Sequence, residues 1–211
     1  MNGKSTKNSL IQAHGGYKKL RTYILGTLIY DATVAFCLRY LSRKDRTFDQ
    51  MVQATRSGVA NIIEGSTASA TSKKTELKLT NVARASQEEL LTDYRAFLRQ
   101  RSLPEWSKES PAVKTVRLAR PETLDQLRLL MAEMVSDPAL VVPQSSSLSD
   151  KDSRKAEVAG NVMICLICQE TYLLARQISR LAADFEQNGG FTERLHRIRS
   201  DAKGKGIPHS V

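Results

Sequence analysis

No part of this sequence stays apolar for long. Its longest uninterrupted hydrophobic run, Val162 to Cys168, falls far below the ~20 residues that cross a bilayer. Near the N-terminus nothing combines a basic start, an apolar run and a small-residue cleavage site. The expectation is a soluble, cytoplasmic protein without a membrane partner. Cysteine is scarce, with three residues in 211, and an odd number without a secretion signal points to a reducing compartment rather than a disulfide framework. The three histidines, His14, His196 and His209, lie far apart and lack the HxxxH or HxxE spacing of a metal site. Gly15-Gly16 precedes a predicted helix but is not joined by the lysine and hydroxyl of a phosphate-binding loop. No metal, cofactor or set of catalytic residues is expected, and the reading is non-enzymatic.

Proline and glycine, 6 and 11 residues, gather in a few places and leave long stretches where nothing interrupts a helix. Hydrophobic residues at 41% and charged residues at 26% are globular proportions. A chain of this length holds one core with a modest appendage. The net charge of +10 is unevenly placed. Residues 1–101 hold 17 Lys+Arg against 8 Asp+Glu, a balance of +9; residues 102–152 hold 6 against 8, or −2; residues 153–211 hold 9 against 6, or +3. A polyanionic partner would therefore meet the first half of the chain.

The polar segment 1–16 reads as a flexible arm. Apolar residues at helical spacing predict a first helix over Tyr17 to Leu41, and Asp45 or Thr47 can cap a second that runs to Glu64, with Gly65 as its stop. Ser66 to Ser72 reads as a hydroxyl-rich loop, and Ser72 caps a third helix over Lys73 to Arg101. Segment 102–152 is an inserted connection punctuated by prolines, with one helix from Pro121 to Val135 and an exposed linker from Pro143 to Ser153. A fourth long helix covers Arg154 to Gln187. A C-terminal suffix, 188–211, holds a short basic helix from Phe191 to Ala202. The economical packing is an all-α, up-down-up-down four-helix bundle over 17–187, with the insertion between its third and fourth helices.

Gln50, Ala54, Ser57, Asn61 and Glu64 step by four, three, four and three, so they line one face of the second helix. Buried amides and carboxylates need partners, so Gln50, Ser57, Asn61 and Glu64 read as a structural polar strip facing inward or toward a neighbouring subunit. A lone Glu64 has no acid, base or nucleophile beside it in sequence. Cys165 and Cys168 form a CxxC inside an apolar helical run, without the second ligand pair of a zinc site, and read as ordinary buried thiols.

The pattern Gln50-x3-Ala54-x2-Ser57-x3-Asn61-Ile62-x-Glu64-Gly65, followed by Ala83-x-Ala85-Ser86-x2-Glu89-Leu90, resembles a bacterial four-helix-bundle family. That family was first known from open reading frames in ribosomal-RNA intervening sequences. Gly189 to Arg194 resembles the C-terminal suffix of some members. Val52 and Gln53 stand where members carry a basic pair, and Ile63 where they carry alanine. The resemblance implies a left-handed bundle that assembles as a homo-oligomeric ring, commonly a pentamer. A related branch, the accessory variability determinant of diversity-generating retroelements, binds a reverse transcriptase and its RNA template.

For any single lysine the better reading is a solvated helix face. Collectively, Lys73, Lys74 and Lys78 beside the hydroxyl-rich loop, Arg84, Arg95 and Arg99 along the third helix, and Arg43, Lys44 and Arg46 after the first suit recognition of a phosphate backbone. The expected partner is nucleic acid, structured RNA or an RNA–DNA hybrid; the resemblance adds a protein partner, a reverse transcriptase or another protein. The rival reading is a protein-interaction adaptor that does not touch nucleic acid.

Overall fold

The computed structural model describes residues 16–137 and 151–204, apart from the side chains of Asn188, Arg194, Arg197 and 201–204. Among the described residues every element is helical. A 3-10 turn, Gly16–Lys19, leads into α1, Arg21–Tyr40; then follow α2, Arg46–Ala68, α3, Lys73–Gln100, α4, Pro111–Ala119, α5, Leu124–Ser136, α6, Lys151–Asn188, and α7, Phe191–Gly204. Of the arm expected over 1–16 only Gly16 is described, and it opens the 3-10 turn; of the linker expected over 143–153 only 151–153 are described, and they form the first turn of α6, while the tail beyond Gly204 lies outside the described residues.

Side chains fix most of the helix starts. Asp45 accepts a hydrogen bond from the Thr47 amide at 2.9 Å, and Ser72 accepts one from the Thr75 amide at 3.2 Å, each satisfying a donor that the first turn leaves open. Two sequence expectations need correction here. Gly65 does not stop α2, which continues to Ala68. Gly65 is instead a close-approach position, where a Cβ would sit 3.4 Å from the Glu76 carbonyl oxygen on α3. The inserted segment holds two helices rather than one. Ser110 caps α4 with Pro111 in its first turn, and Thr123 and Gln126 form a capping box that starts α5, so Pro121 precedes that helix instead of opening it.

Each of the four long helices packs against two others: α1 against α2 and α6, and α3 against α2 and α6. Cys37 of α1 lies beside Met51 of α2 at 3.9 Å. Thr22, near the start of α1, donates to Gln177, late in α6, at 3.1 Å. Lys73, at the start of α3, pairs with Asp184, near the end of α6. The interior between these helices is mainly apolar, with Ile29, Met51, Leu90, Val162, Ile167 and Leu174 fully buried, but it also buries Gln87 and Glu170. Phe36 packs edge-on against Tyr94 and Phe97, with centroids 4.7 and 4.6 Å apart, and the Tyr94 hydroxyl donates to Thr33 at 3.1 Å. By length and composition α6 could cross a membrane, but its apolar window is 67% buried inside the molecule, as suits a central helix.

The inserted segment docks on α6 through α4 and α5. Trp106, the single tryptophan, anchors it: its amide donates to Asn161 at 2.7 Å and its indole to Glu157 at 2.9 Å. Asn161 in turn donates to the Pro104 carbonyl at 2.9 Å. At the far side, the Arg154 guanidinium donates to the carbonyls of Val135 and Asp137 at 2.6 and 2.9 Å, closing the C-terminal end of α5 with a cation.

Candidate nucleic-acid interface

At 28 residues and 1.5 Å per residue, α3 is about 42 Å long. The cations at its start and those at its end therefore cannot serve one phosphate, and the expected contact residues separate into two groups.

At the start of α3, Lys73 is drawn off the surface. Its ammonium lies 3.1 Å from Glu76 and 3.8 Å from Asp184, and its side chain is only 17% exposed. Lys74 and Lys78 are exposed and carry no ion pair among the described residues. The neighbouring hydroxyls are already engaged. Thr67 donates to the Ile63 carbonyl, Ser69 to that of Ser66 and Thr71 to that of Ala68, while Ser72 caps α3. The expected phosphate-binding loop is thus shorter, since α2 covers its first residues, and its hydroxyls serve the backbone around them. Midway along the helix Arg84 faces Glu88 at 3.9 Å. Further along, Arg95 pairs with Glu105 at 3.1 Å.

The other end gathers more. Arg101 donates to the Tyr40 carbonyl at 3.0 Å, which ties the end of α3 to the end of α1, and its guanidinium stacks 4.0 Å from the Phe97 ring centroid. Arg43 lies 5.9 Å from the Phe48 ring centroid. Arg43, Lys44, Arg46 and Arg99 are exposed and carry no ion pair among the described residues. Arg39, in the last turn of α1, faces Asp152 at 3.6 Å. Asp45 sits among these cations. The Thr47 amide first, and the Arg101 charge more weakly, hold its carboxyl below the usual range, so it stays an anion that caps α2. Arg101 was not among the residues singled out from sequence; the signal available was the Arg99-Gln100-Arg101 run at a helix end, where cations are favoured.

The polar strip of α2 divides in two. Gln50 and Glu64 are exposed, which leaves them the alternative of facing a neighbouring subunit, because the buried face of α2 is carried by Met51, Ala54, Thr55, Gly58 and Ile62. Ser57 and Asn61 remain half-buried: Asn61 donates to the Ser57 carbonyl at 2.8 Å, and Ser86 of α3 donates to the Ser57 hydroxyl at 3.2 Å. This pair ties α2 to α3.

Cys37, Cys165 and Cys168 are free thiols. Burial pushes Cys37 and Cys165 up to about 12 and raises Cys168, which suppresses the thiolate that redox or metal chemistry needs. Among the described residues no group of three or more His, Cys, Asp or Glu side chains is arranged to hold a metal ion. No family model matches the chain, and neither a curated protein nor a solved structure does.

Proposed function

We propose that the chain is a non-enzymatic, up-down-up-down four-helix bundle that binds the phosphate backbone of structured RNA or an RNA–DNA hybrid. Its contact surface is the end of the molecule formed by the α1–α2 connection and the C-terminus of α3. One observation carries this reading: Arg43, Lys44, Arg46, Arg99 and Arg101, from separate stretches of sequence, gather at one end, and none of them forms an ion pair among the described residues. Such a surface releases condensed counterions from a polyanion, and its arginines match phosphate oxygens with paired donors. Support for the helix order comes from the contact pairs: the start of α1 meets late α6, the start of α3 meets the end of α6, and the end of α3 meets the end of α1. The Gln50-to-Gly65 and Ala83-to-Leu90 motifs add the resemblance to ring-forming bundles. On that basis the assembly is a homo-oligomer, a pentamer first, in which a weak patch repeated around an axis gains through effective concentration. A place as accessory subunit of a reverse transcriptase follows from the same resemblance.

The test is anisotropy of a labelled RNA hairpin from low to moderate salt. Affinity should fall with a logarithmic slope near −0.7 to −0.9 for each phosphate neutralised. Reversing Arg43, Lys44 and Arg46 to glutamate should weaken binding by about tenfold or more, well beyond the effect of reversing Lys74 and Lys78. Absence of binding at low salt ends the direct-contact reading, and an unchanged triple variant removes this surface. Native mass spectrometry reads the subunit number.

A further inference from the structure

A second basic concavity lies away from that surface, where α1, the corner between α4 and α5, and α6 come together. We propose that this cleft binds a nucleoside phosphate. The inference goes beyond backbone recognition, because the cleft is a discrete site of about 580 Å³, within the size range of small-molecule pockets.

Three guanidinium groups line it, those of Arg21, Arg117 and Arg120, together with Glu122, Gln169 and Tyr172. Arg21 is ion-paired with Glu122. Arg117 and Arg120 carry no ion pair among the described residues, leaving two paired-donor forks for phosphate oxygens. Arg21 is also the first residue of α1, a helix that starts without a side-chain cap and without an acidic residue in its first turn, so its partial positive charge is uncompensated.

Two further features belong to the cleft. Arg120 sits in the left-handed region at φ 45°, ψ 53° and runs into buried Pro121. Glycine adopts that conformation freely and arginine does not, so the fold keeps a strained backbone at a position where the side chain faces the cleft. Gln169 also lines the cleft, with its amide nitrogen buried and without a hydrogen-bond partner. Tyr172 supplies the second half of the recognition. The residue is 60% exposed, with the Arg176 guanidinium 5.9 Å from its ring centroid, and an exposed aromatic side chain beside arginines stacks a base. Glu122 adds a carboxylate able to accept from an exocyclic amine of that base.

Calorimetric titration of the full chain with AMP, inorganic phosphate and adenosine tests the proposal. AMP should bind about tenfold or more tightly than phosphate, and adenosine should bind weakest of the three, since ring and phosphate each contribute. Arg120→Gly removes the guanidinium while suiting the backbone: AMP affinity should fall about tenfold or more while the thermal midpoint holds or rises. Tyr172→Ala should bring AMP down to the affinity of phosphate. No AMP binding at millimolar concentration, AMP no tighter than phosphate, or wild-type affinity in Arg120→Gly would each overturn the proposal. RNA affinity of Arg120→Gly should stay at the wild-type level, so this site and the RNA surface fail or stand separately.

Discussion

Glu170 lies in the middle of α6 with no exposed surface, and neither carboxyl oxygen has a hydrogen-bond partner. One of those oxygens occupies the space above Gly26 of α1, where a Cβ would come within 2.6 Å of it. Burial alone holds the Glu170 carboxyl well above its ordinary value of 4.5, with no neighbouring charge contributing. The folded protein therefore holds this proton to a higher pH than the unfolded chain, which releases it near 4.5. Over that interval the unfolded state binds fewer protons, so stability is fullest below 4.5 and falls as pH rises toward the folded value. A single group changes stability by no more than about 1.36 kcal/mol per pH unit, so the loss between pH 4.5 and pH 7 is at most about 3 kcal/mol. Glu170→Gln keeps the shape and removes the ionisation. It should stabilise the protein at pH 7, by up to about 3 kcal/mol, and by almost nothing at pH 4.5. Urea unfolding followed by circular dichroism at both pH values measures this, and the difference between the two proteins cancels the other titrating groups. Equal differences at the two pH values, or a variant less stable than wild type at pH 7, would refute the reasoning.

Gly160→Ala places a Cβ 2.7 Å from a Leu98 methyl and 3.6 Å from the Phe97 ring. Both side chains are buried, so overpacking of about 1–3 kcal/mol should outweigh the helix-propensity gain and lower the thermal midpoint; an unchanged or raised midpoint would show that α3 and α6 have room to separate. Arg154→Ala removes the guanidinium that holds the carbonyls at the end of α5. Amide hydrogen exchange in α5 should quicken by one to two orders of magnitude, about 1–3 kcal/mol of local protection, while exchange in α2 and α3 stays as it was.

The long helices were legible because their apolar residues recur at helical spacing over many turns and because Asp45 and Ser72 are strong caps. The start of α4 was legible in principle too, since Ser110-Pro111 is a cap followed by a first-turn proline, but α4 has only 9 residues and offers too few repeats for periodicity to stand out. Gly65 was misread for a physical reason. A glycine can end a helix or let another helix approach, and only the position of Glu76 decides between them. The strip from Gln50 to Glu64 illustrates a related limit. Regular spacing places residues on one face, but which face is buried depends on where the apolar neighbours lie, and here Met51, Thr55 and Ile62 turn the helix. Arg101 joined the basic end only through its bond to Tyr40, a contact across 61 positions of sequence.

The inserted segment changes what the positive charge of the molecule can do. In sequence it is the acidic stretch, at −2, and could pass for a spacer. Trp106, bound to Glu157 and Asn161, instead makes it part of the interior. The same docking carries Arg117 and Arg120 toward Arg21 and Tyr172, converting charges distant in sequence into one cleft. Glu157 shows how firmly the docking is held. It is fully buried, and one of its oxygens is satisfied by the Trp106 indole while the other has no partner. Removing the indole donor would leave a buried carboxyl without any bond. That penalty, about 1–3 kcal/mol, is present only when the segment is seated without its donor. The segment is thus coupled to α6 by this buried hydrogen bond as well as by its buried apolar residues, Val113, Val116, Leu127 and Met134 among them, and the geometry of the cleft is coupled to the same docking.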